Sequence, residues 1–558
     1  MSNLIDKVEK AADAHVPTWY FPAENKQLPL KDLTDLSNDY AKKLIALGVK
    51  KQECVGVVLD NCSDYVSILL AIWRINAIAV PMRPRGSKYT QTDKHLQYCD
   101  QVCDFRLIIY ADAMSKEVFS SWMTGTHKTA INLSTFIALK SHAGIKVDSE
   151  IAVDDIAILQ FSSGSTGLPK GVIVNHAMMM VQLENLTNNH TESRHGLKPE
   201  AIASWTPVHH DLGLFIGILV PIYCNSLNIL APPSYYMRNP GRWFALLAEH
   251  QVDFTFSTNS ALATTFNAIK RLHRQNDINL SKLHIYLAAE KVSPITVRRC
   301  WEVFSVLGLP REQIHIGYGM AENTLCCSCT KTDLITISSF LITEEDKLLP
   351  VDQGTPGAVE LVSIGKADRD HDITIRDAAG HLLPELKLGE LYIKSPCISP
   401  GYFNNPALTL VTFPEGYFCS GDLGFYYHGE LYFYARRDDM IILGGRNIIP
   451  NDVEESVETL DFVRPTTTCL LAKENPMTGA QELVLLIEAN EHADPELLNQ
   501  RTIYVQKQAM MELNILIQSV IFCTKGAVEK TSSGKKRRKI IRDRFLNQEL
   551  EIIGGEYA

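Results

Sequence analysis

Between about Leu30 and Leu325, segments with helical apolar spacing alternate with short, almost wholly apolar segments. That alternation constrains the fold more than any other feature, because buried strands separated by helices pack as a parallel sheet with helices over its faces. The spacing in Leu36 to Leu47 suits a helix, whereas Cys54 to Leu59 and Arg106 to Tyr110 read as buried strands. Ile202 to Thr206, Asn228 to Ala231, Asp253 to Ser257 and His284 to Ala288 repeat the strand pattern, with helix-like stretches such as Arg242 to His250 between them. Ligands of such sheets bind beyond the carboxyl ends of the strands, so chemistry is expected on the loops that follow them. The most apolar run, Tyr65 to Val80, is interrupted by Arg74 and Asn76 and is shorter than the roughly 20 residues that span a bilayer. It reads as a buried helix, and no membrane span is expected.

At 558 residues the chain exceeds the roughly 100–200 residues of a single domain, so several domains are expected. After Thr330 the texture changes. The chain is rich in Thr, Asp, Glu, Gly and Pro as far as Gly365, then carries short alternating strands at Ile373 to Arg376, Glu390 to Lys394 and Glu430 to Tyr434. A β-rich subdomain over about 330–437 follows from that pattern. A polar break at Arg436, Arg437, Asp438 and Asp439 separates an N-terminal domain, 1–437, from a small C-terminal domain, 438–558. The latter reads as a helix from Pro450 to Leu460, strands from Thr468 to Ala472 and Leu483 to Glu488, and a basic tail. The expected fold class is α/β: a large domain of layered α/β subdomains plus the β-rich subdomain, then a small α+β domain.

Charge narrows the partners. With 54 Lys and Arg against 64 Asp and Glu, the net charge of −10 argues against a molecule built to wrap nucleic acid. The N-terminal segment mixes Lys7, Glu9, Lys10 and Asp13 into its apolar positions, so it lacks the apolar run of a secretory signal. The 13 cysteines are scattered, and the C-x-x-C spacing of Cys326 and Cys329 has no second pair to complete a metal site. Free thiols in a reducing cytoplasm are expected.

The strongest local signal is Leu159-Gln160-Phe161-Ser162-Ser163-Gly164-Ser165-Thr166-Gly167-Leu168-Pro169-Lys170-Gly171-Val172, a strand end running into a hydroxyl- and glycine-rich loop. Gly164 and Gly167 let the backbone turn its N–H groups inward, Ser162, Ser163, Ser165 and Thr166 add donors, and Lys170 adds a positive charge; together they suit phosphate. The pattern differs from the Walker loop, because Gly171 and not Ser or Thr follows the lysine.

This loop resembles the phosphate-binding signature of the adenylate-forming superfamily, which includes acyl-CoA synthetases, luciferases, peptide-synthetase adenylation domains and fatty acyl-AMP ligases. Other family signatures follow in order. Tyr318-Gly319-Met320-Ala321-Glu322 resembles the segment whose aromatic ring stacks on adenine and whose glutamate helps hold Mg2+, roles that would fall on Tyr318 and Glu322. Ser420-Gly421-Asp422-Leu423-Gly424 resembles the ribose-binding turn, in which Asp422 would accept from two sugar hydroxyls. Arg436 is similar to the family's ribose- or phosphate-contacting arginine, and Asp438 sits where the family places the hinge of a mobile C-terminal domain. Lys530-Thr531-Ser532-Ser533-Gly534-Lys535 resembles the terminal motif whose lysine bridges the substrate carboxylate and the α-phosphate; Lys535 is the candidate and Lys536 the adjacent alternative. Leu287-Ala288-Ala289-Glu290-Lys291 resembles the N-G-A-E-P segment whose backbone lies near adenine, which brings in Ala289 and Glu290, with alanine where the family has glycine.

Within the superfamily, Trp205-Thr206-Pro207-Val208-His209-His210-Asp211-Leu212-Gly213-Leu214 resembles fatty acyl-AMP ligases, and the resemblance implies that His210 orients or stabilises the acyl carboxylate. A metal site at His209, His210 and Asp211 is the competing reading, disfavoured because adjacent side chains on an extended segment point apart. The interval from Glu322 to Gly365 looks like the insertion of stand-alone fatty acyl-AMP ligases, which in the family disfavours CoA. The implied activity is ATP- and Mg2+-dependent conversion of a fatty acyl carboxylate to acyl-adenylate, with Lys535, His210 and Lys170 as catalytic residues. Acyl transfer to the phosphopantetheine of an acyl carrier protein would follow. The basic tail, with Lys525, Lys530, Lys535, Lys536, Arg537, Arg538, Lys539, Arg542 and Arg544, would complement an acidic carrier. No aromatics interleave with those charges, which disfavours RNA. An amino acid substrate is disfavoured by the lack of Asp in Phe256 to Ser260. The alternatives are an acyl-CoA synthetase, or a non-catalytic nucleotide- or acyl-binding protein of the same fold, the latter motivated by Ala288 and by Gly444.

Overall fold

Strands with no polar face build the first of two large sheets. Cys54–Val58, Ile78–Pro81 and Leu107–Tyr110 are buried at every position, as strands covered on both faces must be. In the computed structural model, which describes residues 3–13, 17–84, 94–119, 128–141, 144–147, 150–163, 169–193, 198–272, 278–330, 334–343, 345–443, 446–474, 481–489, 494–513, 515–530 and 535–555, they lie in a six-stranded sheet. Its order is Thr129–Asn132, Leu107–Tyr110, Cys54–Val58, Ile78–Pro81, Ile156–Ser163, Pro169–Asn175, parallel except for the last pair. The second sheet has nine strands, with a parallel run of Thr18–Phe21, Leu227–Leu230, Ala201–Ser204, Phe254–Ser257, His284–Leu287 and Ile314–Gly319 at its centre. One hydrophobic core reaches both sheets, from Val55, Trp73 and Leu107 to Ile202, Phe254 and Tyr286.

The apolar run 65–80 is not a single helix. The helix Ser63–Arg74 ends, Asn76 turns the chain at φ 54°, and a buried strand Ile78–Pro81 follows. Asn tolerates the left-handed conformation that closes helices, and the β-branched Ile78 and Val80 favour the strand. Apolar spacing does not separate a buried helix from a buried strand, which is why the run reads as one element in sequence.

Asn61 fastens the two sheets together. Buried just past the strand Cys54–Val58, it donates through Nδ2 to the carbonyls of Thr206 and Ala231, both at 2.8 Å, and accepts from Val208 N–H at 2.9 Å. The segment carrying His209 and His210 is thereby held to the carboxyl end of a central strand of the first sheet.

The β-rich portion comprises an antiparallel sheet of Asp372–Arg376, Gly389–Lys394, Phe418–Tyr427 and Glu430–Arg436, and a three-stranded sheet of Leu348–Val351, Ile337–Ile342 and Val359–Val362. The latter lies inside the interval read as an insertion, which is therefore ordered sheet over these strands. Past the turn Arg437–Asp439 come the short strands Ile441–Leu443 and Arg446–Ile448 and the helix Pro450–Val457. A four-stranded sheet of Thr468–Glu474, Gln481–Glu488, Ser519–Cys523 and Ile552–Gly555 follows, with its own cores. The molecule is α/β with a large N-terminal and a smaller α+β C-terminal unit.

Candidate active site

The strands of the nine-stranded sheet end on a cavity of about 1160 Å³ that residues of the small C-terminal unit help to line. Into it project loops that follow Ala201–Ser204, His284–Leu287 and Ile314–Gly319, as the parallel topology requires.

Asp422 is the centre of one group. It lies on the strand Phe418–Tyr427, where register pairs it with Arg436 on the neighbouring strand. Tyr318 donates its hydroxyl to Asp422 Oδ2 at 2.7 Å, and Arg436 Nε donates to Oδ1 at 3.1 Å. Burial, then the Asp422 charge, pushes the Tyr318 phenol well above its ordinary value, while Asp422 raises the Arg436 guanidinium further still. The turn is braced from behind: Glu390 accepts from Gly421 N–H at 2.9 Å and pairs with Arg437. Gly319 is required here by contact, since a Cβ on it would stand 1.7 Å from the carbonyl oxygen of Leu325.

A second group forms where the H-H-D string leaves its strand. The side chains of His210 and Asp211 do not point apart, because the segment turns directly into the helix Asp211–Leu214. His210 Nδ1 meets Asp211 Oδ1, and Leu212 N–H donates to the same oxygen at 2.7 Å. With Nδ1 turned to the carboxylate, His210 has Nε2 left for the cavity that its side chain lines. Burial pushes the Asp211 carboxyl up, but His210, Leu212 N–H and Lys535 together outweigh it and hold it below its usual range. Gly213 allows this turn: a Cβ there would lie 2.0 Å from the Pro207 carbonyl oxygen. Leu186, Leu212, Phe254 and Phe256 give the adjoining part of the cavity an apolar wall.

Lys170 and Glu322 meet through a residue the motifs do not include. Tyr402 donates its hydroxyl to Glu322 Oε1 at 3.0 Å, and Lys170 Nζ lies 5.2 Å from the centre of the Tyr402 ring. Ser162 stands opposite Lys170 in register, and Ser163 opposite Pro169. Gly164, Ser165, Thr166 and Gly167 lie outside the described residues, as does Gly444.

Lys535 enters from the small unit. Burial pushes its ammonium below its usual range and Arg436 adds repulsion, while Asp211, Asp422 and Glu290 pull the other way. The structure therefore brings Lys535 into the field of both groups above. Ala289 holds φ 70°, a left-handed conformation that costs a non-glycine residue about 1–2 kcal/mol. The strained position is Ala289 and not Ala288, so the substitution of the family's glycine at 288 carries no φ penalty. Glu290 accepts from Ser260 N–H at 2.8 Å and Oγ at 2.7 Å, which occupies its carboxylate and fixes the backbone beside the cavity. Met320 and Ala321 continue the cavity wall. Asp438 is exposed, within the single turn that connects the β-rich sheet to the small unit.

The basic tail is less available than its composition suggests. Lys536 and Arg538 bind buried Glu454, and Arg537 binds Glu529, so the exposed cations reduce to residues such as Lys525 and Arg542. Tyr402, Glu390 and Glu454 were missed in sequence because each partner lies tens of residues away. For Lys291 a signal existed in its replacement of the family's proline.

Two units closing on one cleft, with a carboxylate-centred turn on one side and a lysine delivered from the other, define an adenylation-type fold. Residues 6–403 match the family described as AMP-binding enzyme, and residues 438–554 match the description Disco-interacting protein 2-like, AMP domain. The chain belongs to the AMP-binding enzyme family. It is 28% identical over 475 residues to a Caulobacter vibrioides protein named as an acyl-CoA synthetase, covering 83% of this chain and 81% of the relative. It is 27% identical over 424 residues to a Mycobacterium tuberculosis protein named 4-hydroxyphenylalkanoate adenylyltransferase, covering 71% of this chain and 66% of the relative. Among solved structures, one from work on fatty acyl-adenylate ligases of E. coli and L. pneumophila superposes with a TM-score of 0.87 at 23% identity, covering 98% of both chains. McyG A-PCP with phenylalanyl-adenylate gives 0.84 at 23%, covering 98% of this chain and 95% of that one. These superpositions are likenesses of fold.

Proposed function

We propose that the protein uses ATP to activate a fatty acyl carboxylic acid as acyl-adenylate, then passes the acyl group to the phosphopantetheine thiol of an acyl carrier protein. The observation that carries the reading is the presence of Lys535, the Asp422–Tyr318–Arg436 group and the His210–Asp211 pair on one cleft. In the first step a carboxylate oxygen attacks the α-phosphorus in line; a P–O bond forms, the bond to the bridging oxygen breaks, and pyrophosphate leaves. Catalysis is positioning and charge neutralisation. Lys535 serves the carboxylate and α-phosphate, His210 Nε2 the carboxylate, and Lys170 with the loop Ser162 to Gly167 the departing phosphates. Tyr318 with Gly319, Met320 and Ala321, and the backbone of Ala289 and Glu290, line the adenine side; Asp422 takes the ribose hydroxyls, with Arg436 beside it.

Glu322 is the residue that would hold Mg2+. Its carboxylate offers hard oxygen beside Lys170 and Tyr402, and Mg2+ commonly takes only one or two protein carboxylates together with substrate phosphates and water, so the donor set fits. The ion would supply neutralisation of polyphosphate charge.

In the second step the thiolate sulfur attacks the acyl carbon, a C–S bond forms, the C–O bond to AMP breaks, and the thiol proton goes to solvent. The unit 438–558 would rotate about Asp438 to admit the thiol. Thirteen cysteines as free thiols, most of them buried, support a cytoplasmic setting. No helix among the described residues is long and apolar enough to cross a membrane.

CoA as the acceptor is a second reading, favoured by the relative named as an acyl-CoA synthetase. The test is mass-spectrometric product analysis with ATP, Mg2+ and a ladder of fatty acids, each alone, with CoA, and with holo carrier protein. Acyl-AMP that moves only to the carrier is the expected result; efficient acyl-CoA formation favours the second reading, and no adenylate with any acid overturns both.

A further inference from the structure

We propose that Lys291 is a positioning residue: through an ion pair with Asp452 it registers the small C-terminal unit, and with it Lys535, onto the cleft. Lys291 Nζ lies 2.7 Å from Asp452 Oδ1, and its side chain is only 8% exposed. The pair therefore spans the two units inside their interface, where water screens it little.

Both ends of the pair are anchored. On the large unit, Lys291 follows Glu290, whose carboxylate is held by Ser260, and precedes Ser293, whose N–H donates to Asn259 at 3.0 Å. The lysine thus springs from the segment that forms the cavity wall. On the small unit, Asp452 lies in the first turn of the helix Pro450–Val457. Two residues further on, Glu454 accepts from Lys536 Nζ at 2.6 Å, from Arg538 Nη2 at 2.9 Å and from Leu470 N–H at 2.6 Å. Lys535 is the immediate neighbour of Lys536. Two ion pairs on one helix, Lys291–Asp452 and Lys536–Glu454, thus link the cavity wall to the residue next to Lys535.

The sequence supplies independent support. The family segment N-G-A-E-P has proline where this chain has Lys291, and proline offers no donor that could reach Asp452. The departure gains a purpose, because a rigid ring is replaced by a cation that ties the two units.

This proposal rests on the activation reading of the cleft, so its test has one arm that needs no turnover. Lys291→Met keeps the buried stem and removes the charge. In the acyl-adenylate reaction it is expected to lower kcat about tenfold while KM for ATP and acid changes less than about twofold, since only the delivery of Lys535 is affected. The double variant Lys291→Asp with Asp452→Lys is expected to recover most of that loss, as a direct pairing of the two residues requires. In the absence of any substrate, protease cleavage within 437–440 is expected to be faster in Lys291→Met and to return towards the parent rate in the charge-reversed pair. An unchanged kcat with an unchanged cleavage rate overturns the proposal, as does a charge-reversed pair that is no better than the single variant. Failure of the parent protein to form adenylate would overturn the activation reading, and the cleavage comparison would still decide whether Lys291 ties the units.

Discussion

The roles proposed for Lys535 and Asp422 differ, so their substitutions should separate. In the proposed role of Lys535, Lys535→Ala takes a cation away from the reacting oxygens while leaving the Asp422 group intact, so adenylate formation should fall by about 10²–10³-fold, with ATP still bound. Single-turnover assays beside equilibrium nucleotide binding check this. Asp422→Ala should do the reverse and weaken nucleotide binding first, because Tyr318 and Arg436 lose the acceptor that orients them. Isothermal titration with a non-hydrolysable ATP analogue measures that loss. The strings around Tyr318, Glu322 and Asp422 were legible as resemblances because each is short with fixed neighbours, and the structure brings Tyr318, Asp422 and Arg436 into contact. Tyr402 was not, since the contact that matters joins it to Glu322 across 80 positions and leaves no local trace. Asp211 was quoted with the histidines but read as pointing away, an error that came from taking a turn for an extended strand.

At the level of elements, alternation of helix and strand was legible wherever each had its own boundary signal. It failed over 65–80, where the helix Ser63–Arg74 and the strand Ile78–Pro81 are both buried and only Asn76 marks the break. The short helix Asp211–Leu214 has another dependence, since it packs its Gly213 against the carbonyl of Pro207. Gly213→Ala should cost about 1–3 kcal/mol by overpacking and displace His210, so that chemical denaturation and kcat both shift. The tail element teaches the opposite lesson: in sequence its charges suit an acidic carrier, yet Lys536 and Arg538 are committed to Glu454. Composition counts charges without showing which of them already have partners.

For the whole molecule, the interface between the units holds a titratable group besides the Lys291–Asp452 pair. Burial pushes the Glu455 carboxyl up to about 7, with Asp452 and Glu458 adding to the rise and Lys291 and Ser293 opposing it. Its pKa in the closed arrangement is thus above the ordinary 4.5, so the protonated form favours closure. That contribution is fully present below the ordinary value and is lost as pH rises through about 7. Protease cleavage at the connector should therefore quicken as pH rises from about 4.5 to about 7 and level off above that, and Glu455→Gln should flatten the dependence. Burial of Glu454 has a consequence for biosynthesis as well. A carboxylate 1% exposed, it is neutralised by Arg538, 84 positions later in the chain. During synthesis the small unit cannot close around that charge until those residues have left the ribosome, and any product broken off before them carries an exposed, incomplete sheet into the path of chaperones and proteases.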